Sequence, residues 1–227
     1  MAEELDRRAQ ILEAAFEEFS EKGFKGATIK SIAAAAGLQS PALIYWYFPD
    51  KEALFREVLG NRIPVLRAVR DPAGLMDQPP EELLPMIAGR YLSTFDNPAA
   101  QRMVRLMMGE AMRRPEIADI FGNAVIKRVL GFLKSYMAHQ IELGRLRPHD
   151  VRSSARAFMG MLLPQAGGKL FFPAIREDGL TDEEHIRTAT RIFLEGLRPE
   201  ENGLAETGKE ARHEGDDGGE RSSTSGG

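Results

Sequence analysis

Two helix starts and one helix stop fall between Thr28 and Pro41, and no other stretch restricts the fold of this chain so tightly. Thr28 can cap a short helix running through Ile29, Ile32 and Ala33 to Ala36, because its hydroxyl accepts one of the unpaired amide protons of the first turn. Gly37 stops that helix, being the residue that tolerates a left-handed backbone at a helix C-terminus. Only Leu38 and Gln39 separate it from Ser40-Pro41, a cap followed by the residue suited to a first helical position. Two short helices joined by a tight glycine turn make a helix-turn-helix, whose second helix can present its N-terminal side chains to base edges in the major groove.

The aromatics Tyr45, Trp46, Tyr47 and Phe48 follow at once, and Asp50 opens a further helix with Lys51 in its first turn. Four consecutive rings cannot all face one core, so some must reach the surface, where tyrosine hydroxyls and an ammonium group can hydrogen-bond phosphate oxygens. Tyr45, Tyr47 and Lys51 are read as phosphate contacts, Phe48 and Trp46 as plugs between helices. Lys25 sits on the preceding turn, as either a phosphate contact or a solvated lysine. The candidate DNA-contacting set is therefore Lys25, Thr28, Gln39, Ser40, Ala42, Tyr45, Tyr47 and Lys51.

With these residues in place the sequence resembles the TetR family of bacterial transcriptional regulators. The resemblance is carried by Arg8, Ile11, Leu12, Ala14, Ala15, Phe19, Gly23, Phe24, Ala27, Thr28, Ile29, Ile32, Ala33, Ala36, Gly37, Leu43, Tyr45, Phe48, Lys51, Glu52 and Leu54. The family's commonest pattern has one residue fewer between the turn glycine and the aromatic run; the extra residue here falls between Gln39 and Ile44, implying a lengthened turn or reading helix. The resemblance implies a homodimer on a palindromic double-stranded operator and a small ligand, bound in the helical body, that lowers DNA affinity. It also implies a repressor, although the residues themselves do not separate that from an activator.

The formal net charge of −4 sits poorly with a DNA-binding protein until its distribution is considered. From Lys22 to Pro49 there are three lysines and no acid, whereas residues 199–227 carry eight acids against three bases. A locally positive face is compatible with that balance, provided the acidic side of the first helix stays away from phosphate. Hydrophobic residues make up 43% of the chain, enough for a substantial core. No apolar run approaches the ~20 residues that cross a bilayer, and no targeting segment is visible, so a cytoplasmic location without membrane contact is expected. Cysteine is absent, which removes disulfides, thiolate metal sites and thiol redox sensing.

Helical periodicity governs the rest, and an all-α fold of about nine helices is expected. Leu5, Ala9, Leu12, Phe16 and Phe19 form one apolar stripe on a first helix over 4–22, ended by Gly23. The DNA-binding domain is placed at 1–51, with 50–69 as a connecting helix bent or broken near Pro64. The loop from Asp71 to Pro80 is the clearest internal boundary. A regulatory and dimerisation body follows over 80–198, with helices over about 80–95, 98–112, 115–144, from 150 with an interruption at Pro164, and from a Thr181/Glu184 capping box onward. The Gly-, Ser- and acid-rich segment 199–227 cannot bury enough apolar area to order itself.

Two features of the body suggest function. The last two helices carry broad apolar faces, and Ala155, Leu162, Leu163, Ile192 and Phe193 are assigned to a four-helix dimer interface, against the alternative that they pack within their own subunit. Methionines cluster on neighbouring helices, where flexible thioethers suit an adaptable cavity but are also ordinary core filler. The candidate pocket comprises Phe95, Met103, Met107, Glu110, Phe132, Tyr136, Phe158 and Met159, for a hydrophobic or amphipathic ligand. Binding that requires the connecting helix and the 98–112 helix to shift would lower operator affinity.

Other classes find little support. Asp182-x-x-His185 and Glu210-x-x-His213 have metal-ligand spacing but lack the second Glu-x-x-His partner of a di-iron site. There is no Gly-rich phosphate loop, nucleophile elbow or paired-acid constellation, so neither a catalytic site nor a cofactor or metal is expected. A helical adaptor without specific DNA binding would explain the body but not the ordered series Thr28, Ser40-Pro41, Tyr45, Tyr47, Lys51.

Overall fold

Glycine, proline and side-chain caps divide the chain into helices at the places their chemistry requires. The computed structural model describes residues 2–199, and side chains from residue 6 onward. The helices are α1 (Ala2–Gly26), α2 (Ile29–Ala35), α3 (Ile44–Tyr47), α4 (Lys51–Arg62), α5 (Pro64–Ala68), α6 (Pro80–Ser93), α7 (Pro98–Ala111), α8 (Pro115–Phe121), α9 (Lys127–Glu142), α10 (Val151–Leu170) and α11 (Asp182–Glu195). No strand occurs among the described residues. The acidic segment 200–227 and its Glu210-x-x-His213 lie outside them.

The N-terminal elements form where expected. Gly23 breaks the helical geometry of α1 with φ +70° and ψ 178°, so Phe24 to Gly26 make a separate last turn. Thr28 caps α2 reciprocally with Ser31, each side chain taking the other's backbone N–H. Gly37 turns the chain at φ +66°, and Asp50 caps α4 through the Ala53 N–H. Ile63 is extended and Pro64 opens α5, so the chain is broken at the proline rather than bent.

Phe19, Phe24 and Phe55 stack edge-on at 4.9 and 5.1 Å and fasten α1 to α4. A single contiguous set of buried apolar side chains continues from Ile11 and Phe19 through Leu54, Leu66, Leu84 and Met107 to Phe158 and Leu197. The loop before α6 is pinned to α9, with the Tyr136 hydroxyl donating to Gln78 O at 2.7 Å and Gln140 to Met76 O at 2.6 Å.

Two expectations for the body need correction. The 115–144 helix contains a π-helical turn at Gly122–Ile126, where one extra residue per turn loosens the ladder and re-aims the side chains. Pro164 does not interrupt α10, which runs through it from Val151 to Leu170. The carbonyl that the proline leaves unpaired belongs to Gly160; both residues are exposed, so water can satisfy it, and no β-carbon at Gly160 adds to the crowding.

Candidate nucleic-acid interface

The second element of the helix-turn-helix is short and composite. Ser40 accepts the Ala42 N–H at 3.3 Å, Pro41 to Leu43 form a 3₁₀ turn, and α3 adds Ile44 to Tyr47. Ile44 and Phe48 are buried and anchor the segment against α1 and α4, with Arg8 lying 5.1 Å above the Phe48 ring. Gln39, Ala42 and Tyr45 are exposed on the opposite side, as are Lys25, Thr28 and Lys30, while Ser40 and Tyr47 are half-buried.

Trp46 departs from expectation. It is 85% exposed, the most open of the large apolar side chains among the described residues, with Tyr45 beside it at 53%. Phe48 fills the interhelical gap, and α3 is too short to give both rings the same side. Trp46 therefore joins the candidate surface, which the sequence signalled only by having more consecutive rings than one core can take.

Lys51 is also placed differently. Its Nζ donates to the Ala27 carbonyl at 2.8 Å and sits 4.5 Å from the centre of the Phe24 ring. Burial, and then the nearby positive charge of Lys25, pushes its pKa down, with Glu110 acting against them. The ammonium thus secures the residue before the Thr28 cap, because the C-terminal turn of α1 leaves that carbonyl facing the start of α4. Of the lysines in this region, Lys22 pairs with Glu18 at 2.8 Å.

Among the side chains of the body, Glu110 reaches the last turn of α1. Glu110, on α7, accepts the Lys25 backbone N–H through Oε1 at 3.4 Å, so it belongs to the contact between α7 and the last turn of α1 rather than to a cavity.

An apolar cavity of about 570 Å³ lies within the body, bounded by α6, α7, α10, the π-helical turn and the start of α9. Phe95 and Met159 line it as expected, and so do Ile63 and Val65 on either side of the Pro64 break. Met103, Met107, Phe132, Tyr136 and Phe158 are instead buried in the continuous core, because their helix faces point toward neighbouring helices. The cavity-facing positions of α7 are Val104 and Met108. Burial pushes the phenol of Tyr91, one of the cavity-lining residues, up to about 12, so it is neutral at physiological pH.

The outer helices divide similarly. Ala155, Leu162 and Phe193 are buried within their own subunit, with Phe158 and Phe193 centred 5.1 Å apart. Leu163 and Ile192 are the members of the expected interface that remain open, at 57% and 53%. Among the described residues no group of three or more potential metal ligands occurs, and no helix is long and apolar enough to cross a membrane.

Comparison with known proteins agrees with this architecture. Residues 11–58 match the model of the tetR family of bacterial regulatory proteins, and residues 82–196 match that of the AefR-like transcriptional repressor C-terminal domain. The chain is 30% identical to the HTH-type transcriptional regulator BetI of Stenotrophomonas maltophilia, over 69% of this chain and 77% of that one. It is 26% identical to the regulator RutR of Escherichia coli, over 85% and 91%. A TetR transcription regulator from Haloarcula marismortui shares the fold with a TM-score of 0.60 and 19% identity, covering 86% and 99% of the two chains.

Proposed function

This chain is a member of the TetR family of bacterial regulatory proteins, a DNA-binding transcriptional regulator, and from that premise we propose that it is a homodimeric repressor released from a palindromic operator by a small molecule in the cavity. The observation that carries the release mechanism is that Ile63 and Val65, part of the cavity wall, flank the break that ends α4. The other end of α4 carries Asp50 and Lys51, which fix the helix start and the Ala27 carbonyl beside the reading head. A guest that displaces Ile63 or Val65 moves α4 along its axis, and the Lys51 contact carries that motion to Thr28.

The reading head comprises Gln39, Ser40 and Ala42 toward base edges, with Tyr45, Tyr47, Trp46, Lys25 and Thr28 toward the backbone. Two copies joined through the open faces of α10 and α11, with Leu163 and Ile192 at the seam, would span half-sites about one helical turn, ~34 Å, apart. A coupling of about 1–3 kcal/mol between guest and operator lowers DNA affinity roughly 5- to 150-fold. The sign of regulation is tested by footprinting the protein on promoters near its own gene and measuring transcripts in a deletion strain. Repression predicts a footprint over the promoter and a rise in transcript; a fall would establish an activator, and no footprint would favour a helical adaptor.

A further inference from the structure

We propose, resting on the ligand-release reading above, that the guest is an amphipathic anion, a hydrocarbon body ending in a carboxylate or equivalent group, whose charge is held by Arg156. Of the twenty residues that line the cavity, Arg156 is the one with a formal charge. It shares a stripe of α10 with Met159, Gly160, Leu163 and Leu170, all of which line the cavity. In the isolated subunit Arg156, Gly160 and Leu163 are exposed whereas Leu170 is buried, so the guanidinium stands at the cavity mouth, beside the α10 face assigned to the partner subunit, and the depth is hydrocarbon.

Several arginines of the body spend donors within the protein. Arg105 donates to Leu170 O at 2.6 Å, Arg145 to Asp77 O at 2.7 Å, Arg147 to Gly196 O at 2.9 Å and Arg176 to Asp182 at 3.0 Å. Arg156 has neither an ion pair nor a hydrogen bond among the described residues. An unpaired planar fork beside low-dielectric walls disfavours a cationic guest, gives a neutral hydrocarbon nothing, and offers a carboxylate two parallel charge-assisted hydrogen bonds. Tyr91 lines the same cavity and carries a neutral hydroxyl. The cavity volume suits one ligand of small-molecule size.

The test is isothermal titration of the full-length protein with decanoate, 1-decanol and decyltrimethylammonium, repeated on Arg156→Leu and Arg156→Lys. Decanoate should bind at least about tenfold tighter than the alcohol, as a hydrogen-bonded charge requires. Arg156→Leu should bring that ratio near one while leaving the alcohol's affinity within about threefold, and Arg156→Lys should keep most of the preference. Equal binding of acid and alcohol by the wild type, tighter binding of the cation, a ratio unmoved by Arg156→Leu, or no binding of any probe would each overturn the proposal. DNA binding is measured without ligand, so these failures leave the operator reading standing. Decanoate bound through Arg156 with no loss of operator affinity would instead sink the release mechanism and keep the ligand class.

Discussion

Glu110 and Gly23 meet where the body touches the reading head: a β-carbon on Gly23 would lie 2.9 Å from Glu110 Oε1, the oxygen that accepts the Lys25 N–H. Gly23 also holds φ +70° with ψ 178°, a region open to glycine and costly for any other residue. Gly23→Ala is therefore expected to destabilise the protein by about 1–3 kcal/mol. Chemical denaturation of Gly23→Ala, Glu110→Ala and the double variant separates the causes. Backbone strain survives the loss of Glu110, so the double variant should remain clearly less stable than Glu110→Ala; full recovery would mean that side-chain crowding is the whole effect.

Lys51 and the exposed groups should behave differently. Lys51→Met leaves the Ala27 carbonyl unpaired and should cost about 1–3 kcal/mol of stability, with little change in the salt dependence of DNA binding. Lys25→Ala, on an exposed lysine, should leave stability within about 0.5 kcal/mol and lower the slope of log affinity against log salt by about 0.9. Trp46→Ala should weaken DNA binding without lowering the melting temperature. A Lys51→Met variant of wild-type stability with a reduced salt slope would restore the phosphate role.

Local signals were the most legible part of this sequence. Thr28, Ser40, Asp50 and Thr181 cap the helices they were expected to cap, and Gly37 takes the left-handed turn, since each depends only on its nearest neighbours. Side-chain direction was less so. Which of Trp46 and Phe48 turns inward is decided by the packing of α3 against α1 and α4, which no local pattern records. Leu162 and Leu163 are both apolar neighbours on α10, yet one is buried and the other open. The methionines on α7 could be placed on a helix but not assigned to cavity or core, because a flexible thioether fits both.

The two leucines give a test of assembly. Leu163→Glu or Ile192→Glu should leave a folded protein that sediments as a monomer at micromolar concentration, because both side chains are open in the isolated subunit. Leu162→Ala instead removes fully buried packing and should cost about 2–5 kcal/mol. Sedimentation velocity that finds Leu163→Glu and Ile192→Glu as dimeric as the wild type would place the subunit contact on another face.

The loop before α6 should respond to pH. The His139 pKa is raised, chiefly by the hydrogen bond that its Nε2–H donates to Asp77 at 2.8 Å, with Glu142 adding to it. A raised histidine pKa contributes stability that is fully present below about 6.5 and is lost as pH rises through the folded-state value. Denaturation midpoints should therefore fall as pH rises above about 6.5, and less steeply in His139→Gln. Identical pH profiles for the two proteins would remove His139 as a contributor.

Whether the surface carried by Gln39 to Tyr47 reads DNA is decided by titrating the full-length protein onto duplex fragments flanking its own gene at two salt concentrations, with Trp46→Ala alongside. One discrete, salt-sensitive complex is expected on a particular fragment, weakened in Trp46→Ala at unchanged fold stability. No complex on any fragment even at low salt, or one indifferent to that substitution, would contradict it.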